Sequence, residues 1–294
     1  MFGSSQQIVT CEEDKSIPLR LNLHVLADEL LPCQPVRLLV SAQVAADRPF
    51  RGALTLSPEA GRGWVDIAGQ GRQRTISFRE VADPMLAPGD WLPPATAQTY
   101  PAGYQFETET DLLLLYDVRA GEYVIPEAGR YEVRVRIQGF EGQNLASYRP
   151  FVLKSNTVEL PVGPVPDDMR FALSRWTWPW QASLVIGSKD GFAAILSVVP
   201  DSSYAQYARY ALSQCPNVPI AEQITYLKQS VERILPSQIA DLALLQLGEL
   251  LRQQQDYEGS RSYTQRVLAL SRAPKGSHRR AAELLARVAR EDKQ

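Results

Sequence analysis

The sequence predicts a chain made of two unlike parts, an antiparallel β-sandwich followed by a stack of helix pairs. Two observations indicate this fold class. Apolar residues recur at every second position between Ile17 and Val162, and at helical spacing beyond Pro166. A chain of 294 residues is also long enough for two domains with separate hydrophobic cores. We therefore predict a sandwich over 1–162, a linker with short helices over 163–199, and helical repeats over 200–294.

The strands of the first part are predicted from alternation. Apolar and polar residues alternate most clearly at 19–25, 36–44 and 131–137. Successive side chains of a strand point to opposite faces, so each segment buries one face and exposes the other, as antiparallel sheets do. This alternation places Arg37 on a polar face. Further strands are expected near 51–56, 74–81, 105–116 and 151–162.

One local pattern resembles the tyrosine corner of immunoglobulin-like domains. Tyr131 follows the turn Glu127-Ala128-Gly129 and opens a strand, which lets its hydroxyl bond back to the preceding backbone. The segment 154–160 resembles the closing strand of bacterial sandwich modules. The resemblance implies an immunoglobulin-like sandwich over 17–162, in which Val133 stands where antibody domains have their second cysteine. It implies no function, and Tyr131 is expected to act as a structural staple.

Five longer segments of the second part carry apolar residues at helical spacing. Pro200, Pro236 and Pro274 precede three of them, at separations of 36 and 38 residues. The serine that follows each proline suits an N-cap, because its hydroxyl can accept from free backbone N–H groups. The predicted helices are Asp201–Gln214, Pro219–Leu235, Ser237–Gln254, Tyr257–Ser271 and Ser277–Arg290, with shorter ones near 168–175 and 190–198.

The middle unit resembles the tetratricopeptide repeat. Leu247-Gly248, Leu251, Tyr257 and Ser260 fall at the positions of that pattern, and the small residues allow two helices to approach closely. The run 199–208 resembles the repeats of bacterial cell-envelope proteins. The resemblance implies a tetratricopeptide-like α-solenoid, whose concave groove commonly holds a peptide or partner helix. It therefore implies a scaffold role in the bacterial cell envelope.

The groove hypothesis names Tyr204, Tyr207, Arg209 and Arg252 as partner-binding residues. The alternative is that both tyrosines, three residues apart, are core packing between helices. A second aromatic group, Trp176, Trp178 and Trp180, favours an apolar plug between the two parts. Its alternative is an aromatic platform for a sugar or peptide. A carbohydrate- or surface-binding module, which would use either this cluster or a face of the sandwich, is the second function that we consider.

The residues that could carry chemistry are few and dispersed. The two histidines, His24 and His278, lie far apart, and the three cysteines, Cys11, Cys33 and Cys215, form no CxxC pair. Cys11 and Cys33 could form a disulfide or remain free thiols. No nucleophile, metal or phosphate-binding motif is present. We therefore expect a non-enzymatic protein without cofactor or metal.

Charge and hydropathy restrict the partners. The net charge of −2 favours neither nucleic acid nor an anionic membrane, and no apolar run is long enough to span a bilayer. We expect a protein or peptide partner. Residues 272–294 hold seven basic and three acidic residues, which suits either an acidic partner or a solvated helix face. The compartment stays open: periplasmic or secreted is favoured if an upstream signal is removed, and otherwise cytoplasmic.

Overall fold

The computed structural model describes residues 16–26, 30–56, 62–78, 97–106, 110–117, 120–167, 169–170, 189–233 and 236–293. Within these ranges strands come first and helices last, which confirms the predicted order of an antiparallel β region and a helical region. The strands are β1 Leu19–Leu26, β2 Val36–Val44, β3 Phe50–Ala53, β4 Arg62–Gly69, β5 Arg72–Ser77, β6 Gln98–Tyr100, β7 Thr110–Leu114, β8 Tyr116–Asp117, β9 Glu122–Tyr123, β10 Gly129–Glu141, β11 Arg149–Lys154 and β12 Val158–Val162. The helices are α1 Lys189–Val198, α2 Ser203–Gln214, α3 Ile220–Val231, α4 Ala240–Gln253, α5 Tyr257–Leu268 and α6 Lys275–Glu291.

The strands form open sheets. The larger sheet has the order β5-β4-β10-β3-β6, with β11 and β12 also beside β10, and a second sheet has the order β1-β2-β7. β10 pairs antiparallel with β11 and with β3, and β4 pairs antiparallel with β5. In β1 buried Leu19, Leu21 and Leu23 alternate with exposed residues, so the predicted period of two is confirmed there. The predicted staple is also present, because the Tyr131 hydroxyl donates to the Glu127 carbonyl at 3.0 Å.

The chain divides into two compact units that do not follow a single cut along the sequence. The first comprises residues 1–24, 40–112 and 132–159, and the second comprises 25–39, 113–131 and 160–294. The second unit thus contains the helices together with strand segments. The predicted domain boundaries stay predictions.

In the first unit, an ion pair ties two neighbouring strands. The Arg136 guanidinium of β10 donates to both carboxylate oxygens of Asp66 on β4, at 2.5 and 2.7 Å. The same guanidinium lies over the Trp64 ring, with the Arg136 Cζ atom 5.7 Å from the ring centroid. Both charged side chains remain about one fifth exposed, at 21 % and 22 %. The pair therefore lies at the surface of the sheet rather than in its core.

In the second unit, the helices pack closely where small residues meet. A Cβ on Gly248 of α4 would lie 2.4 Å from the Thr264 hydroxyl of α5, closer than atoms normally approach. The Ser260 hydroxyl donates to the Gly248 carbonyl at 2.7 Å, so the same contact satisfies a buried polar group. The predicted close approach at Gly248 and Ser260 is confirmed. It places α4 and α5 on a shared core with α3 and α6.

The expected serine caps are confirmed at one helix of three. Ser202 caps α2, because its hydroxyl accepts from the Ala205 N–H at 3.2 Å. The N-cap of α4 is Ile239 and not Ser237. α6 begins at Lys275 after Pro274, so Ser277 lies inside its first turn. These two caps were predicted wrongly because the helix starts differ from the predicted ones by two or three residues.

Candidate functional site

The two tyrosines of the predicted groove lie in the core of the second unit. Tyr204 is 1 % exposed and Tyr207 is 4 % exposed. The Tyr204 hydroxyl donates to the Pro32 carbonyl at 2.7 Å, and burial raises the pKa of both phenols above their usual range. The geometry therefore favours the core-packing alternative. A partner-binding role for these two side chains stays a prediction, since both are buried within the unit.

Arg209 is buried beside them but only partly bonded. Its side chain is 6 % exposed, and Nη2 donates to the Pro200 carbonyl at 2.9 Å. Nε and Nη1 find no acceptor in the described part of the chain. Burial lowers the pKa of Arg209, the nearby Arg233 lowers it further, and Asp201 opposes the change. Asp201 itself pairs with Arg233.

Arg252 lies nearer the surface and joins two helices. It pairs with Glu249 on its own helix at 2.7 Å and with Glu291 of α6 at 2.8 Å. These hydrogen bonds raise the pKa of Arg252. Its donors are thus already used within the chain, which is the arrangement of a helix clamp. A direct role in holding a partner stays a prediction.

The structure reveals a buried polar network that the sequence analysis missed. Arg37 donates to both oxygens of Asp241, at 2.5 and 3.0 Å, and Ser277 donates to the same carboxylate at 2.5 Å. Arg37 also donates to the Gln238 carbonyl at 3.1 Å. Arg37 is 0 % exposed, so the prediction that it lies on a polar strand face is wrong. The burial of a fully charged side chain is possible because a carboxylate meets it inside the unit.

This network does not resemble a site for a reaction. Both oxygens of Asp241 are occupied, and Ser277 is 3 % exposed, so a substrate has no direct access to either. The neighbouring His278 ring contacts the Leu270 carbonyl at 3.2 Å, and no bond joins it to Ser277. A serine nucleophile requires an adjacent base that accepts its proton. The network therefore supports a structural role, in which β2, α4 and α6 are held together.

The thiols and acidic groups of the described ranges form no chemical centre either. Burial raises the pKa of Cys33 to about 12 and also raises that of Cys215, which keeps both thiols neutral and poorly nucleophilic. Among the described residues no three His, Cys, Asp or Glu side chains are placed to hold a metal ion. Cys11, Trp176, Trp178 and Trp180 lie outside the described residues. Cys33 is a free, buried thiol in the structure, which favours the free-thiol alternative for this residue. The tryptophan platform stays a prediction.

An aromatic cluster lies at the surface of the first unit, where the sequence analysis named no individual residues. Tyr100 of β6, Tyr104 and Phe106 are half-buried, and their ring centroids are 4.8 to 5.4 Å apart. The Tyr100 hydroxyl donates to Gln98 at 2.6 Å. No charged residue occurs between Ala97 and Phe106. We name Tyr100, Tyr104 and Phe106 the aromatic patch.

A basic surface lies on the second unit. Lys275, Arg279 and Arg290 are exposed along α6, on the side opposite its buried residues Ala281, Leu284 and Val288. We name the exposed side of α6 that holds these three residues the basic face. Charge at a surface can attract and orient an oppositely charged partner. The sequence signal for this face was the excess of basic residues in 272–294, for which a solvated helix face was the alternative.

Two further observations, on membrane-spanning helices and on similarity to known proteins, give no indication of a role. Every helix in the described ranges is too short or too polar to cross a lipid bilayer. No protein-family model matches this chain, and no curated protein matches it either.

Proposed function

We propose that this chain is a non-catalytic protein-interaction scaffold. In this proposal an immunoglobulin-like sandwich precedes a tetratricopeptide-like solenoid, and the protein serves in the bacterial cell envelope. The tyrosine staple and the close α4–α5 contact at Gly248 support these finer assignments. They remain proposals, because these features also occur in other folds.

One observation carries the proposal: among the described residues, the thiols and the Arg37–Asp241–Ser277 network are buried, whereas the basic face of α6 is exposed. Arg37, Asp241 and Ser277 bond to one another in the core, and Cys33 is held as a neutral thiol. The basic face, in contrast, presents charged side chains to solvent. Groups that face solvent can meet another molecule without rearrangement of the core. The arrangement therefore favours binding over catalysis.

Co-purification from a native extract tests this proposal. The full chain serves as bait, and captured proteins are quantified against a bait-free control and against a chain with Arg37→Met and Asp241→Leu. That double variant replaces the buried pair without changing the surface, so it should retain the partner if it folds. A protein captured in a fixed ratio to both forms would support a scaffold. Absence of any such protein under crosslinking conditions would contradict it.

The aromatic patch supports a second candidate function, a carbohydrate-binding module. Tyrosine and phenylalanine rings with a neighbouring amide offer an apolar face beside a hydrogen-bonding group, and the segment carries no charge. A neutral, hydroxylated ligand matches this chemistry. A glycan array on the full chain tests it, with Tyr100→Ala as the variant. Tyr148→Ala is the matched control, since Tyr148 is another half-buried tyrosine of the first unit and packs on Phe140. No glycan signal, or equal loss in both variants, would count against it.

A further inference from the structure

We propose that the basic face of α6 docks an acidic, helical segment of a partner protein. This inference rests on the proposed function and gives the partner a chemical class. Lys275–Glu291 contains five lysines or arginines and two glutamates. Lys275, Arg279, Arg280 and Arg290 form no ion pair with any residue that the structure describes. The helix therefore has a positive charge that its own surroundings do not neutralise.

The acidic residues on the packed side of α6 already have partners within the chain. Glu291 accepts from Arg252, and Asp292 pairs with Arg261 of α5 at 2.8 Å. Glu249 of α4 accepts from Arg252 and lies 3.8 Å from Arg287. Their negative charge is used at the side of α6 that packs on α4 and α5. Glu283 is also exposed on α6, four positions after Arg279. One carboxylate does not balance Lys275, Arg279, Arg280 and Arg290, so most of the outward positive charge is left for an acidic group of another molecule.

The helix dipole adds to this imbalance. The N-terminus of an α-helix carries a partial positive charge, and an acidic residue in the first turn usually compensates it. α6 has no acidic residue in its first turn and has Lys275 there instead. Its N-cap, Pro274, provides no side-chain hydrogen bond. The positive potential of the first two turns is therefore higher than the side-chain charges alone would make it.

The shape of the face favours a helix as the bound element. Exposed Ala282, Ala286 and Ala289 lie between Arg279 and Arg290 and form a low surface flanked by basic side chains. At 1.5 Å per residue the two arginines are about 16 Å apart along the axis. Small residues let a second helix approach to about 8–10 Å, where acidic side chains three turns apart reach both arginines. The matching partner is a helix with acidic residues spaced about eleven positions apart.

A nucleic acid or a lipid surface fits the same face less well. The chain as a whole has a net charge of −2, and α6 carries no aromatic residue on which a base could stack. Its apolar residues Leu284 and Val288 are buried in the unit, so they cannot enter a bilayer. Both ligands nevertheless respond to positive charge, and the experiment below includes them.

Fluorescence anisotropy with a defined probe tests the inference. The probe is a labelled helical peptide of 22 residues, built from alanine and glutamine with two Glu residues eleven positions apart, and its control has Gln in place of both Glu. We expect the full chain to bind the Glu peptide, to lose affinity as salt rises, and to ignore the Gln peptide. Arg279→Glu with Arg290→Glu should weaken binding about tenfold or more.

The matched control is Arg20→Glu with Arg149→Glu, which makes the same charge change at exposed positions of the first unit. Equal loss of affinity in both double variants would overturn the inference, because net charge and not the face would then explain binding. Arg279→Gln with Arg290→Gln serves if the reversed variant does not fold. Tighter binding of duplex RNA or of vesicles with 30 mol% anionic lipid, lost in the α6 variant, would also overturn it. If a native partner is captured equally by the wild-type chain and by the α6 double variant, the proposed function is retained and only this site is rejected.

Discussion

Replacing Asp241 by asparagine should lower the free energy of unfolding of the second unit more than any surface substitution does. Asp241 is 2 % exposed and accepts from Arg37 and Ser277, while Arg37 is completely buried. Asparagine keeps the volume but removes the negative charge, and its amide group places N–H donors opposite the donors of Arg37 or Ser277. Removal of one partner from a buried ion pair typically costs about 3–5 kcal/mol. We expect a decrease of that size in the free energy of unfolding.

Urea unfolding followed by circular dichroism at 222 nm measures this change, since the signal at that wavelength comes mainly from helices. The matched control is Asp66→Asn, which breaks the pair with Arg136, whose side chains are about one fifth exposed, and should cost about 1 kcal/mol or less. The double variant Arg37→Met with Asp241→Leu removes both charges and should be far less harmful than Asp241→Asn alone. A loss below about 1 kcal/mol for Asp241→Asn would refute the reasoning, because the pair would then not be isolated from water.

Three further predictions concern the packing of the core. Gly248→Ala should lower the free energy of unfolding in urea by about 1 kcal/mol, because the steric cost against Thr264 exceeds the gain in helix propensity. In a Thr264→Ala background the same substitution should raise the free energy of unfolding. Tyr131→Phe should lower the free energy of unfolding by about 1 kcal/mol, since one hydrogen bond is lost, and an unchanged midpoint would contradict the staple. Cys33 should resist alkylation at pH 8 until urea is added. Because burial raises its pKa from the ordinary 9.0 to about 12, its contribution to stability is complete below pH 9 and is lost as pH rises toward 12.

Local patterns were sufficient for the order of the secondary structure. The period of two in β1 and the helical spacing of the second part depend only on neighbouring residues, and both are confirmed. The tyrosine staple was predictable for the same reason, because Tyr131 reaches a carbonyl only four residues away. The close contact at Gly248 followed from the absence of a side chain there. Each of these features depends only on residues within one secondary-structure element or two consecutive ones.

Features that depend on distant residues were missed. Arg37 alternates with apolar neighbours as a polar-face residue would, yet its partner Asp241 is 204 positions away. No local pattern shows that such a carboxylate will arrive in the core. Tyr204 and Tyr207 were correctly placed on one side of their helix, but spacing cannot show whether that side faces the core or a groove. We propose partner binding at α6 rather than at Arg209 or Arg252, because the structure shows that the basic face is exposed and that Arg252 is already paired within the chain.

Crosslinking of the complex is the most direct test of the claim that the chain works through the basic face. A lysine-reactive crosslinker is applied to the full chain with its co-purified partner, and linked peptides are identified by mass spectrometry. Lys275 and Lys293 lie on or next to the basic face, and Lys154 and Lys228 lie on other elements. We predict that crosslinks to the partner concentrate at Lys275 and Lys293 and decrease with Arg279→Glu and Arg290→Glu. Crosslinks confined to Lys154 or Lys228, unchanged in that variant, would contradict the account.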